Sequence, residues 1–142
     1  APPVARPAPQ STPARTPART VPAAAPLATA QLSKASEAAD HHSRGRQLIQ
    51  QGKFQEALQE LTLALEASPE APLVYNARGF AFLQLRRYKE AIADFDQAIK
   101  LNPSYQNAYT NRAAARRAAG DAKGAAEDRA KASALFDKGT NR

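Results

Sequence analysis

The chain's only two histidines, His41 and His42, are adjacent. Neighbours on a helix project about 100° apart, so the pair does not converge on one metal ion. The positions one turn on hold Arg44, Gly45 and Arg46, none of them a metal donor. With no cysteine, thiolate ligands, disulfides and a cysteine nucleophile are all excluded. Asp94 and Asp96 are two residues apart and face different directions, a poor acid–base pair that reads as part of a solvated helix face. No glycine-rich dinucleotide fingerprint, phosphate loop or nucleophile elbow is written anywhere. The Asn102-Pro103-Ser104 triplet carries the proline that disqualifies it as a glycosylation acceptor. The expectation is a non-enzyme, with no metal and no cofactor.

What remains is the framework that would display other side chains. The chain has 142 residues, room for about one domain, and a net charge of +7. No apolar run approaches the roughly 18–20 residues of a membrane span. Eight of the eleven prolines fall within residues 1–26, in APPVARPAPQSTPARTPARTVPAAAP, which has no aromatic residue. Such a segment buries too little surface to offset the entropy of ordering, so residues 1–32 read as a disordered, polyproline-like arm. A spacer needs no more chemistry than that. The arm lacks a strict P-x-x-P, which argues against an SH3-type ligand. From about residue 33 to 138 the pattern is helical, broken at Pro69, Pro72 and Pro103 where helices should end or begin. No stretch alternates with period two, so no strand is expected.

Laid on itself at an offset of 34 residues, the chain resolves into three units, 38–71, 72–105 and 106–139, followed by a tail, 140–142. Gly45, Gly79 and Ala113 align, as do Ala57, Ala91 and Ala125, and Ala64, Ala98 and Ala132. Small residues at these places let two helices approach closely, and Leu48, Phe54, Leu61, Phe82, Tyr88 and Phe95 fill the remaining space. Gly52-Lys53, Arg86-Arg87 and Gly120-Asp121 mark the turns within each unit. One helix pair cannot cover its own apolar face, so neighbours must stack.

This pattern resembles the tetratricopeptide repeat family. The second unit carries the match best: Tyr75-x2-Arg78-Gly79-x2-Phe82, then Ala91-x3-Phe95, then Pro103. The third departs from it with Arg116, Arg129 and Asp137 at the places of Phe82, Phe95 and Pro103. Arg129 offers nothing for a further repeat to pack on, so the array is expected to end there, with Gly139 as its helix stop. The resemblance implies an all-α, right-handed α-solenoid of three helix-turn-helix units, six helices in all, over residues 33–139.

It also implies a concave groove lined by the first helix of each unit, holding an extended peptide or a partner's helix. Carried over by aligned place, that groove presents His42, Arg46, Ile49 and Gln50, then Asn76, Phe80, Leu83 and Gln84, then Asn107, Thr110, Asn111 and Arg117. These residues lie off the packing stripe. Ile49, Phe80 and Leu83 would form an apolar cluster, with asparagine amides and arginines around it for peptide backbone and carboxylate. Some family members grip a chaperone's terminal carboxylate with Lys-x3-Asn, a lone Asn and Lys-x3-Arg. Here those places hold His42-x3-Arg46, Ala77 and Asn107-x3-Asn111, so a clamp of that type is not expected.

The expected role is therefore a protein-binding adaptor or scaffold with a protein or peptide ligand. A rival reading is a basic tether to nucleic acid or an anionic surface, since the first repeat carries −2 and the third +3. Basic residues are not interleaved with exposed aromatics, which argues against nucleic acid. A third reading lays one chain's arm in another's groove, giving weak self-association. The alanine, proline and arginine bias suggests a GC-rich bacterial genome. A proline-rich spacer suits a cell-envelope protein behind a removed signal or anchor, and a cytoplasmic adaptor equally.

Overall fold

The computed structural model describes residues 2–5, 7–9 and 26–140. Six helices occupy the last of these stretches: α1 (Pro26–Gln50), α2 (Phe54–Ala67), α3 (Pro72–Gln84), α4 (Tyr88–Leu101), α5 (Gln106–Ala118) and α6 (Ala122–Thr140). Among the described residues there is no strand. The helices form three antiparallel pairs, α1 with α2, α3 with α4 and α5 with α6, and each pair stacks on the next as a helical solenoid.

Two boundaries differ from the sequence reading. Helix α1 begins at Pro26, so residues 26–32, read as the end of the arm, are helical. Proline suits a first helical position, where its missing N–H costs nothing, and the alanine-rich stretch after it favours helix. The rest of the expected disordered arm lies largely outside the described residues. Gly139 does not stop α6, which runs through it to Thr140.

The close approach expected at the aligned glycines is present. A Cβ built on Gly45 would lie 2.6 Å from the Leu61 side chain, and one on Gly79 would lie 2.7 Å from the Phe95 ring. Leu61 and Phe95 are fully buried, as are Ala57, Ala91 and Ala125. Each turn places one residue in the left-handed region at the same register: Gly52 at φ 75°, Arg86 at φ 60° and Gly120 at φ 92°. Arginine there bears a steric cost of roughly 1–2 kcal/mol that glycine avoids.

Beneath the apolar packing runs a polar ladder. Arg78 forks onto Asp94, with Nε donating to Oδ2 at 2.7 Å and Nη2 to Oδ1 at 2.8 Å. One repeat on, Arg112 makes the same fork to Asp128, at 2.9 and 2.6 Å. In the first repeat the equivalent pair is loose, Arg44 standing 3.8 Å from Glu60, and His41 Nδ1 takes that carboxylate at 2.6 Å instead. Asp94 and Asp128 are only 4% and 3% exposed, so Asp94 belongs to a buried ion pair rather than to a solvated face. Arg116, at the place of Phe82, is half-buried too and donates to Asp128 at 3.0 Å. Burial pushes the Asp94 carboxyl up, against its two bonds from Arg78.

Candidate ligand groove

The first helices of the three pairs, α1, α3 and α5, together line a recess of about 390 Å³. Arg46, Ile49 and Gln50 come from α1, Asn76, Ala77 and Phe80 from α3, and Asn107, Thr110 and Asn111 from α5. Helical spacing explains the selection. Arg46 and Ile49, then Asn76 and Phe80, then Asn107 and Asn111 are three or four apart, so each pair shares one face.

Of the twelve groove residues expected from the sequence, the recess brings together eight: Arg46, Ile49, Gln50, Asn76, Phe80, Asn107, Thr110 and Asn111. Leu83 is half-buried instead, packed on the cluster of Ala91, Phe95 and Ala115 between α4 and α5. Arg117 lines a separate, smaller cleft of about 150 Å³ with Thr110, Ala113, Ala114 and Arg129. His42 is half-buried one turn before Arg46 and does not line the recess.

The apolar part is anchored rather than freely exposed. Phe80 meets Phe54 edge-on, with ring centroids 6.4 Å apart and planes at 69°. Ile49 packs on the core of Ala57, Leu61, Ala64, Leu65 and Val74. Each leaves part of its side chain toward the recess, a supported apolar floor.

The polar part is wired internally. Asn111 Nδ2 donates to Asn76 Oδ1 at 3.0 Å, and Asn76 Nδ2 donates to the Tyr105 hydroxyl at 3.1 Å. Asn76 thus spends its carbonyl and one N–H inside the protein, while Asn111 keeps its carbonyl and a second N–H. Burial raises the Tyr105 phenol above its usual range, so it remains a neutral hydroxyl. Arg46 is the single charged residue among those lining the recess. Burial, then the charge of Arg46, lowers the His42 imidazole below its ordinary value, which keeps it neutral near pH 7.

Sequence reasoning missed the ladder and the amide chain. A signal for the ladder was there: the 34-residue offset aligns Arg44, Arg78 and Arg112, and also Glu60, Asp94 and Asp128. The amide chain left none, because Asn76 and Asn111 stand at non-equivalent places of successive repeats. Among the described residues no group of three or more His, Cys, Asp or Glu side chains could hold a metal ion, and no helix is long and apolar enough to cross a membrane.

Comparison with known proteins agrees with the fold. Residues 72–105 match the family model described as tetratricopeptide repeat, and residues 45–86 match a second one described as TPR repeat. The chain is similar to the second TPR domain of Spaghetti (RPAP3), solved bound to the HSP90 peptide SRMEEVD, with 31% identity and TM-score 0.72. That match covers 75% of this chain and 98% of the other. The TPR2B domain of yeast Sti1, solved with an Hsp70 peptide, gives TM-score 0.72 at 25% identity over 75% of this chain and 85% of that one. Hsc70-interacting protein 1 of Drosophila melanogaster is 36% identical over 109 residues, 76% of this chain and 29% of the fly protein. RNA polymerase II-associated protein 3 of Xenopus tropicalis is 36% identical over 85 residues, 60% of this chain. The chain spans 13% of that frog protein, so the likeness concerns one module of a longer relative. Repeat register, helix order and these matches agree, and the chain belongs to the tetratricopeptide repeat family.

Proposed function

We propose that the chain is a non-catalytic protein-interaction module that holds an extended peptide of a partner protein in the recess between α1, α3 and α5, as an adaptor or scaffold. The observation that carries this reading is the convergence of three first helices on one recess with a supported apolar floor, amide groups and one guanidinium. A ligand side chain would sit on Phe80 and Ile49. Asn107, Thr110 and the free valences of Asn111 would meet its backbone. Arg46 would take one carboxylate bidentately.

The related domains solved with HSP90 and Hsp70 peptides support a peptide as the ligand class. This chain's groove differs in charge. His42, Ala77 and Asn107 stand where a terminal-carboxylate clamp would need lysine, asparagine and lysine, which leaves Arg46 as a lone cation. The peptide it suits best therefore carries one acidic group near an apolar side chain. Composition supports a GC-rich bacterial source, although the relatives named above are eukaryotic.

The test is selection from a displayed random-peptide library by the full chain at about physiological salt, with SRMEEVD as a defined probe. Selected peptides should carry one acidic and one apolar side chain, and SRMEEVD should bind more weakly than they do. Phe80→Ala combined with Asn111→Ala should abolish retention while helicity persists. Unchanged retention by that double variant contradicts the groove. Binding that collapses between low and moderate salt would instead favour a basic tether to phosphate-bearing partners.

A further inference from the structure

The groove depends on two joints, one between α2 and α3 and one between α4 and α5, and they are built differently. At the first, Arg78 Nη1 reaches back to the preceding repeat and finds the hydroxyl of Thr62 at 3.3 Å. At the second, the equivalent Arg112 Nη1 finds the carboxylate of Asp96 at 2.8 Å. Thr62 and Asp96 occupy the same place in successive repeats. The second joint also carries the Asn111–Asn76 bond. Its counterpart would need a polar side chain at residue 77, which is alanine.

Helix α5 is therefore tied to the middle repeat three times: by Arg112 to α4, by the adjacent Asn111 to α3, and by the Tyr109 hydroxyl, which donates to the Pro103 carbonyl at 3.0 Å. A charge-assisted bond of this length fixes direction as well as distance. An apolar contact resists separation but does not fix register in the same way. Arg112 is also locked from behind by its fork to Asp128, and its side chain is 15% exposed. We infer that Arg112, acting through Asp96, is a positioning residue for the groove: it holds the α5 wall, with Asn107, Thr110 and Asn111, in register with Asn76 and Phe80. The groove's use as a ligand site rests on the function proposed above; the strut itself does not. Asp96 is half-exposed, and a surface pair of this kind usually contributes little to stability, so its effect should fall on geometry rather than on folding.

The test uses the full chain. Arg112→Ala would strip a partner from buried Asp128 and risk unfolding, so the variant is Asp96→Thr, which copies the first joint onto the second. Asp96→Glu is the conservative rescue. Backbone residual dipolar couplings from α3 to α6 should fit one order tensor in the parent. In Asp96→Thr, α5 and α6 should require a tensor of their own, and Asp96→Glu should restore the shared one. Affinity for the tightest library-selected peptide should fall about fivefold in Asp96→Thr and return in Asp96→Glu. A single shared tensor in Asp96→Thr overturns the inference, whatever happens to affinity. Should the library yield no groove peptide, the ligand reading fails while the tensors still decide whether Asp96 pins α5.

Discussion

The two joints show how one repeat scaffold is held together in two ways. Between the first and second repeats the contact is mainly apolar: Leu65 and Val74 join the Leu61 core, with Ile49 and Tyr75 packed around it, and Arg78 adds one bond to Thr62. Between the second and third, the places of Leu65 and Val74 hold Ile99 and Ala108. The buried cluster there is smaller, Ala91, Phe95 and Ala115, and the Arg112 and Asn111 bonds stand beside it. Both joints remove apolar area from water; the first adds the single Arg78–Thr62 bond, whereas the second adds the Arg112–Asp96 and Asn111–Asn76 bonds beside the groove.

Several substitutions sharpen or break this contrast, beginning with the largest effect. Arg78→Ala leaves Asp94 buried without a partner and should cost about 3–5 kcal/mol in a denaturant melt. Arg112→Ala should cost less, because Asp128 keeps Arg116 at 3.0 Å. A reversed order would show that the ladder does not work as paired buried charges. Leu65→Ala at the apolar joint should cost about 2–4 kcal/mol through the cavity it opens, with little dependence on salt. The polar joint should behave oppositely. The small stabilisation that Asp96 provides over Asp96→Thr should shrink between 0.05 and 1 M salt, since screening reaches a half-exposed pair.

Turn chemistry gives a smaller, opposite-signed effect. Arg86→Gly should stabilise by about 1 kcal/mol, by removing a side chain from the left-handed conformation that glycine adopts in the other two turns. Gly52→Ala and Gly120→Ala should destabilise by a similar amount, and equal signs for all three would refute the shared register.

The smallest expected effect is on pH dependence. His42 is lowered in the fold, so the unfolded chain binds more protons just below the ordinary value of 6.5. Its contribution is complete above that value and is lost as pH falls through 6.5 toward the lowered folded value. The parent's melting temperature should therefore drop more between pH 7.5 and 5.5 than that of His42→Gln. An equal drop would remove His42 from the account.

The parts of the fold legible in the sequence were those repeated at equivalent places. Gly45 and Gly79 announce close helix approach because nothing larger fits against Leu61 and Phe95. Tyr75, Phe82, Ala91 and Phe95 stand at the family's spacing, which makes the helix order readable. Bonds between unlike places were not readable in the same way. Asn111 meets Asn76 across a repeat boundary, 35 residues apart, and no periodicity marks such a pair. Leu83 and Arg117 share the groove's helices but not its recess, because position on a helix face does not say how far a neighbouring repeat closes over it. The helical start at Pro26 escaped because a proline-rich context read as arm masked the alanine-rich stretch behind it.

A ligand held in the recess between α1, α3 and α5 would perturb the residues that line it. The most direct test is an amide and side-chain shift map of the full chain titrated with the tightest library-selected peptide. The largest changes should fall on Arg46, Ile49, Asn76, Phe80, Asn107 and Asn111, and Phe80→Ala with Asn111→Ala should remove them. Changes centred instead on the outer cleft of Gln55, Leu58, Leu63 and Phe82, or spread over basic residues and erased by salt, would contradict a ligand site in the recess.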